Sequence, residues 1–133
     1  MIASMTVSLP DTVKALLDAP TFVVVTTLGK DGGPHSTVLW IKRDGDDLLF
    51  GTVRGRQKTR NLERDPRASV CAYDPADPES YFAVEGDVTM TDEGGRELMN
   101  ELSLKYTGTN FPVEPPEVVR VVCRLTPRRL LGH

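Results

Sequence analysis

The chain is poor in the residues that most often carry protein-borne chemistry. It has two cysteines and two histidines in 133 residues. Cys71 and Cys123 match neither a zinc spacing nor a redox pair. Both lie in apolar, strand-like runs, so they read as buried, reduced thiols of a cytoplasmic protein. His133 is terminal, and nothing near His35 supplies ligands at metal-binding spacing. Neither a nucleophile elbow nor a His–Cys or His–Ser pairing occurs. A hydrolase or a metalloenzyme is therefore not expected, and any chemistry is brought by a cofactor. Positive charge is also scarce: 16 basic against 19 acidic side chains leave a net −3, which excludes a broadly basic nucleic-acid binder. The longest strictly apolar run is four residues, as at Phe22–Val25, too short to span a membrane as a helix. The opening Met1-Ile2-Ala3-Ser4-Met5 lacks the charged and long apolar regions of a signal peptide.

What is present is an ordinary globular mix, 39% hydrophobic and 26% charged in 14.6 kDa, and the length predicts one domain over residues 1–133. A domain of this size buries about two-thirds of its unfolded surface. It has little left to enclose a large ligand, so a binding cleft is more easily made between two copies.

The first helix is expected at about 9–18, capped by Ser8, with Pro10 and Asp11 in its first turn, Val13, Leu16 and Leu17 on one face, and Ala19-Pro20 as its end. Thr21–Leu28, His35–Lys42 and Asp47–Val53 then read as a meander of strands separated by Gly- and Asp-rich turns. Lys58–Glu63 is a short helix that must stop by Pro66. Ala68–Tyr73 is strand-like, and Asp74–Glu79 a polar loop. Tyr81–Thr91 is a strand with a bulge at Glu85-Gly86. A second principal helix is expected at about 92–106, with Leu98, Leu102 and Lys105 along one stripe and Met99 beside it; Leu98, Met99 and Leu102 read as core or interface rather than a cofactor site. A proline-rich loop over Gly108–Pro116 precedes the last clear strand, Val118–Leu125, with Leu130-Leu131 as a short edge piece. The fold class is mainly β with appended helices (α+β). Six or seven antiparallel strands are best accommodated as a closed or split barrel.

The strongest local signal is Arg54, Arg56, Lys58, Arg60 and Arg64, five cations within eleven residues of an acidic chain. They lie where a strand gives way to a short helix. Backbone N–H groups at a helix start, with guanidinium and ammonium donors, suit a phosphate, and the hydroxyls of Thr52 and Thr59 are further candidate donors. A solvated basic face balanced by Glu63 and Asp65 is the plainer reading. Nucleic-acid binding lacks the interleaved aromatics it would need.

The run Arg56-Gln57-Lys58-Thr59-Arg60-Asn61-Leu62-Glu63-Arg64-Asp65-Pro66-Arg67-Ala68-Ser69 resembles the R-x-K-x-x-N-L-x-x-D-P-R-A-S stretch of the pyridoxamine-phosphate-oxidase-like flavoproteins, and more closely their actinobacterial branch that uses the deazaflavin coenzyme F420. Val24–Leu28 followed by Asp31-Gly32-Gly33-Pro34-His35 resembles the family's first hairpin, and Tyr81–Gly86 a later strand. The likeness runs from about residue 8 to 131. It implies an FMN-binding-protein-like split β-barrel and a homodimer with cofactor sites at the subunit interface. By the same resemblance Arg56 and Lys58, with Thr59 beside them, hold the phosphate, and Arg54 or Arg60 add charge. Ser36, Thr37, Val38 and Thr52 lie against the ring, and Ser80 and Tyr81 come from the partner subunit. Val38 and Glu79 depart from close relatives, which carry a polar and an aromatic side chain there. The implied activity is hydride transfer from reduced F420 to a small conjugated or heterocyclic compound. FMN is the alternative cofactor, and a non-catalytic flavin, deazaflavin or haem carrier the alternative role. No catalytic side chain is assigned.

Of the remaining conspicuous residues, Trp40 is expected in the core or a dimer interface, His35 at an exposed strand start, and Tyr81 in packing. Tyr106 and Phe111 are expected to cap the barrel.

Overall fold

Tyr106 and Lys105 decide how the first half of the chain is laid out. Ile41 is fully buried, yet its backbone does not pair with a neighbouring strand. Its N–H donates to Tyr106 Oη (3.0 Å), and its carbonyl accepts from Lys105 Nζ (2.7 Å). The run His35–Lys42 is thereby broken at Trp40-Ile41 into β2 (Pro34–Leu39) and β3 (Lys42–Asp44). The expected meander does not form: β2 pairs with β1 (Val23–Leu28), whereas β3 and β4 (Asp47–Val53) make a hairpin at the far end of the sheet.

The structure is a computed structural model that describes residues 6–132; the Met1–Met5 opening and His133 lie outside them. The remaining elements are α1 (Asp11–Asp18), α2 (Gln57–Arg64), β5 (Arg67–Asp74), β6 (Asp77–Thr91), α3 (Gly95–Thr107) and β7 (Arg120–Gly132). All seven strands join one antiparallel sheet in the order β2-β1-β5-β6-β7-β4-β3. Its two ends do not pair, so the barrel is split, and α2 contacts both β1 and β4 across the seam.

Several boundaries differ from expectation for local reasons. Ser8 makes no cap; α1 starts at Asp11 with Pro10 at the N-cap position and no side-chain capping bond. The expected Asp74–Glu79 loop shrinks to a turn at Pro75-Ala76, closed by the Ala76 N–H on Asp74 Oδ1 (2.9 Å). α3 begins three residues later than expected, behind Gly94 in a left-handed conformation. The last strand runs on through Leu130-Leu131 to Gly132. The bulge at Glu85-Gly86 is present as a register shift. A Cβ on Gly86 would stand 2.1 Å from the Thr126 carbonyl oxygen, so only glycine lets β6 bend this closely over β7.

Two apolar clusters hold the layers together. The barrel interior is filled by residues such as Val25, Phe50, Val70, Phe82, Val84 and Val121, closed at one end by Val13 and Leu17 of α1. A smaller cluster, Leu49 with Leu98, Met99 and Leu102, packs α3 on the outer face of β4 and β7. Among the described residues no helix is long and apolar enough to cross a membrane.

Candidate functional site

α2 is short, and propensity alone would not hold it. Polar contacts fasten it across the seam. Thr59 Oγ1 donates to the Val53 carbonyl (2.7 Å), and Asn61 Nδ2 donates to Thr27 Oγ1 (3.0 Å). Asn61 Oδ1 accepts from Gln57 Nε2 (2.7 Å) and Arg64 Nη2 (3.2 Å), and Arg64 Nη2 also reaches the Leu28 carbonyl (3.1 Å). Thr59 and Asn61 are fully buried, as is Thr27. This fixes the helix face and forces Lys58 inward, to 8% exposure.

Lys58 finds no carboxylate and no hydrogen-bond acceptor among the described residues. Burial holds its ammonium below the ordinary lysine range, and the nearby charge of Arg56 adds to the shift. Cys123 itself is pushed up to about 12 by burial, so it stays a thiol and offers no counter-charge. A buried cation without a partner is costly unless an anion arrives.

The Lys58 side chain lines a cleft of about 220 Å³ between β2 and β4, under α3. Its apolar lining includes Val38 and Trp40, from β2 and the segment after it, and Gly51 and Met99, from β4 and α3. Its basic groups are Arg56, Lys58 and Arg120. Trp40 is held in place by stacking on Tyr106 (5.4 Å, 17° between planes). The Tyr106 hydroxyl in turn donates to the Thr21 carbonyl (2.6 Å). Arg120 lies over the Phe111 ring (5.2 Å) and is bound through Nε and Nη2 to both oxygens of Glu114 (2.8 Å each).

Of the residues singled out in the sequence, the fold brings Arg56, Lys58, Thr52 and Val38 to this cleft. Thr59 stands behind it, its hydroxyl proton committed to Val53. Arg54 turns away to Asp92 (2.9 Å) and Glu63 (4.0 Å), and Arg60 bonds the Gln57 side chain (3.0 Å). Ser36 faces outward and shares a hydrogen bond with Thr26 (2.8 Å). Thr37 faces the interior, its Oγ1 buried without a partner. Ser80 and the exposed Tyr81 lie on β6, outside the cleft lining of their own chain. His35 is not an exposed strand start. Alternation along β2 turns it inward opposite Thr27, with Nδ1 buried and unpartnered.

Gly51 and Arg120 were not foreseen, and Met99, read from the sequence as core or interface rather than part of a cofactor site, lines the cleft as well. β4, α3 and β7 converge only in the folded chain, and no local pattern around these three marks them. A larger hollow of about 400 Å³ lies over Thr26, Ser69, Glu85 and Arg129. Its lining carries Arg67, Arg128 and Arg129 against Glu85 and Asp87: Arg129 faces Glu85 (3.8 Å), Arg128 faces Asp87 (3.3 Å), and Arg67 is paired with Asp65 (2.7 Å) outside the lining. Among the described residues no group of three or more His, Cys, Asp or Glu is placed to hold a metal ion.

Known proteins share the sequence pattern and the fold. The sequence pattern of the family described as "Pyridoxamine 5'-phosphate oxidase" matches residues 9–133. A pyridoxine/pyridoxamine 5'-phosphate oxidase of Acidothermus cellulolyticus is 36% identical over 63 residues, 47% of this chain. That match spans only 28% of the relative's length. A solved structure described as an F420 reductase superposes with a TM-score of 0.83 at 26% identity, covering 94% of this chain and 100% of that one. A conserved hypothetical protein from Mycobacterium tuberculosis, 24% identical, shares the fold with a TM-score of 0.75 over 96% of this chain and 86% of its own.

Proposed function

The chain belongs to the pyridoxamine 5'-phosphate oxidase family, a class of flavin-binding oxidoreductases, and on that footing we propose that it binds a phosphate-bearing flavin-type cofactor, preferentially the deazaflavin F420, and serves as an oxidoreductase on a small conjugated or heterocyclic substrate. The observation that carries this reading is Lys58: a buried ammonium with no partner among the described residues, opening with Arg56 into a cleft lined largely by apolar side chains. The residues present fit such a group. Lys58 and Arg56 offer charge-assisted donors to a phosphate. Trp40, Val38, Gly51 and Met99 offer a slot for a ring and exclude water from it. When bound, a reduced deazaflavin supplies a hydride from one ring carbon and reacts poorly with dioxygen. Among the described residues no carboxylate or histidine lines the cleft, and the roles assigned to its side chains are orientation and desolvation.

The F420 preference is supported by the likeness to the F420 reductase structure; the family as a whole supports FMN, the second reading. Titrating the purified protein with FMN and with F420 in parallel decides between them. We expect F420 to bind at micromolar concentration or below, and Lys58→Ala to weaken it by about tenfold or more, the ~1.4 kcal/mol or greater of a desolvated ion pair. If neither cofactor binds at micromolar levels, or Lys58→Ala leaves affinity unchanged, the reading fails. Turnover of the reduced cofactor with a substrate panel separates an enzyme from a carrier.

The working unit in this proposal is a homodimer, with the partner completing the cleft. A volume of about 220 Å³ is below the ~300 Å³ at which small-molecule pockets usually begin. The outer face of the sheet carries one apolar row across five strands, Val38, Val24, Cys71, Ala83 and Leu131, with Tyr73 and Tyr81 paired beside it. Tyr73, Tyr81 and Val38 are 56%, 46% and 65% exposed, more apolar surface than an antiparallel sheet normally leaves to water. Val38 belongs to both the row and the cleft, so a second copy covering the row also walls the cleft. Tyr81 and Ser80 of that copy are then the candidates for the open side. A cytoplasmic location is part of the same proposal, supported by two unpaired cysteines.

A further inference from the structure

The third cation of the cleft differs from the other two. Among the described residues Arg56 and Lys58 have no acidic partner, whereas Arg120 is neutralised by Glu114 through two hydrogen bonds of 2.8 Å. The pair is largely buried, with side-chain exposures of 13% and 18%. Buried ion pairs are a poor source of stability, and apolar replacements often serve as well. Its place on the wall of an anion-accepting cleft therefore asks for another reason.

The pair is rigidly mounted. Glu114 belongs to the proline-rich loop, and Arg96 of α3 bolts that loop down by donating to the carbonyls of Glu114 (3.2 Å), Pro115 (3.0 Å) and Val118 (3.1 Å). The Arg120 backbone is equally fixed, because α3 presses on it so closely that a Cβ on Gly95 would fall 2.2 Å from the Arg120 carbonyl oxygen. Only two of the five guanidinium N–H groups are used by Glu114. Nη1 has no hydrogen-bond partner among the described residues. The Glu114 carboxyl is held below the usual glutamate range chiefly by its bonds to Arg120, with Arg96 and Arg56 contributing. Its field therefore reaches a cation that faces the ligand.

Resting on the cofactor reading above, we propose that Glu114 and Arg120 form the charge-selecting pair of the cleft. Arg120 presents spare N–H donors to the anionic portion of the ligand, and Glu114 cancels its charge so that the site answers only to the two charges of Arg56 and Lys58. Removing Glu114 unmasks a third positive charge. Removing Arg120 leaves a bare carboxylate against the anion. Removing both restores the original balance.

The test measures tail dependence, the ratio of affinities for a cofactor with and without its anionic tail. F420 is compared with its ring-and-ribityl form, and FMN with riboflavin, by fluorescence titration. Glu114→Gln, which keeps the shape, is expected to raise that ratio about fivefold, and Arg120→Gln to lower it about fivefold. The double variant returns it to within about twofold of the original. Thermal melts of each variant accompany the titrations. A purely structural pair predicts otherwise: both single variants fall and the double does not recover, or the ratio stays put in all three. Either outcome overturns this inference while leaving the cofactor reading intact. If the unaltered protein prefers neither tailed form, both fall together.

Discussion

At the scale of single residues, Lys58 is where function and stability pull in opposite directions. An unpaired ammonium at 8% exposure costs folding energy that an apolar side chain of similar length would not. Lys58→Met is therefore expected to raise Tm in the absence of ligand by about 3 °C, on the order of 1 kcal/mol. The same variant is expected to lose the upward Tm shift that a phosphate-bearing cofactor gives the unaltered protein. The gap depends on pH with a definite sign. The folded-state pKa is lowered by burial, so between that value and the ~10.4 of an unfolded lysine the unfolded chain holds more protons. Stability of the unaltered protein relative to Lys58→Met therefore rises with pH in that window, and the full cost is present below it. Urea unfolding at pH 7 and pH 9.5 checks this; a gap that widens with pH would contradict it. The resemblance to a family stretch singled out Arg56 and Lys58 as the proposed phosphate ligands; the charge run alone did not separate them from Arg54 and Arg60. Arg54 is removed from the cleft by Asp92, 38 residues away, a pairing no local reading supplies.

At the scale of elements, α2 is a bracket. It fixes Lys58 because Asn61 ties it to β1 and Thr59 ties it to β4. Asn61→Ala strands the buried Thr27 hydroxyl and releases Gln57 and Arg64. We expect a loss of about 2 kcal/mol in denaturant unfolding and weaker cofactor binding as Lys58 loses its mounting. Arg60→Ala, on the exposed face of the same helix, is expected to stay within about 0.5 kcal/mol on both counts. Equal losses for the two variants would show that α2 is not held by its buried polar contacts. The strands were legible because alternation and β-branching repeat along them, and the bulge at Glu85-Gly86 because glycine in a strand is rarely idle. The break at Trp40-Ile41 was not legible. It is made by Tyr106 and Lys105, which supply to Ile41 the hydrogen bonds a neighbouring strand would otherwise give. The same is true of the cleft's far wall, where Gly51 and Met99 meet only because α3 packs over β4.

At the scale of the whole molecule, the dimer proposed above joins two features: a second copy that covers the exposed apolar row also walls the cleft, since Val38 belongs to both. Val24 is the point at which to test this: it is the second of the five residues of the apolar row, flanked by Val38 and Cys71, is 38% exposed, and does not line the cleft. Val24→Glu places a carboxylate on the outer surface without touching the barrel core, so the monomer is expected to fold with a nearly unchanged Tm. The unaltered protein is expected to sediment at twice 14.6 kDa, and the variant at the monomer mass. Two carboxylates buried against each other across a two-fold axis cost far more than one exposed valine contributes. The informative measurement is cofactor affinity in the dissociated variant. Arg56, Lys58, Trp40 and Met99 are all still in place there. A fall of about tenfold or more then measures what the second copy's wall adds. Unchanged affinity in a monomer would mean that the cleft is complete within one chain and that the apolar face serves some other contact.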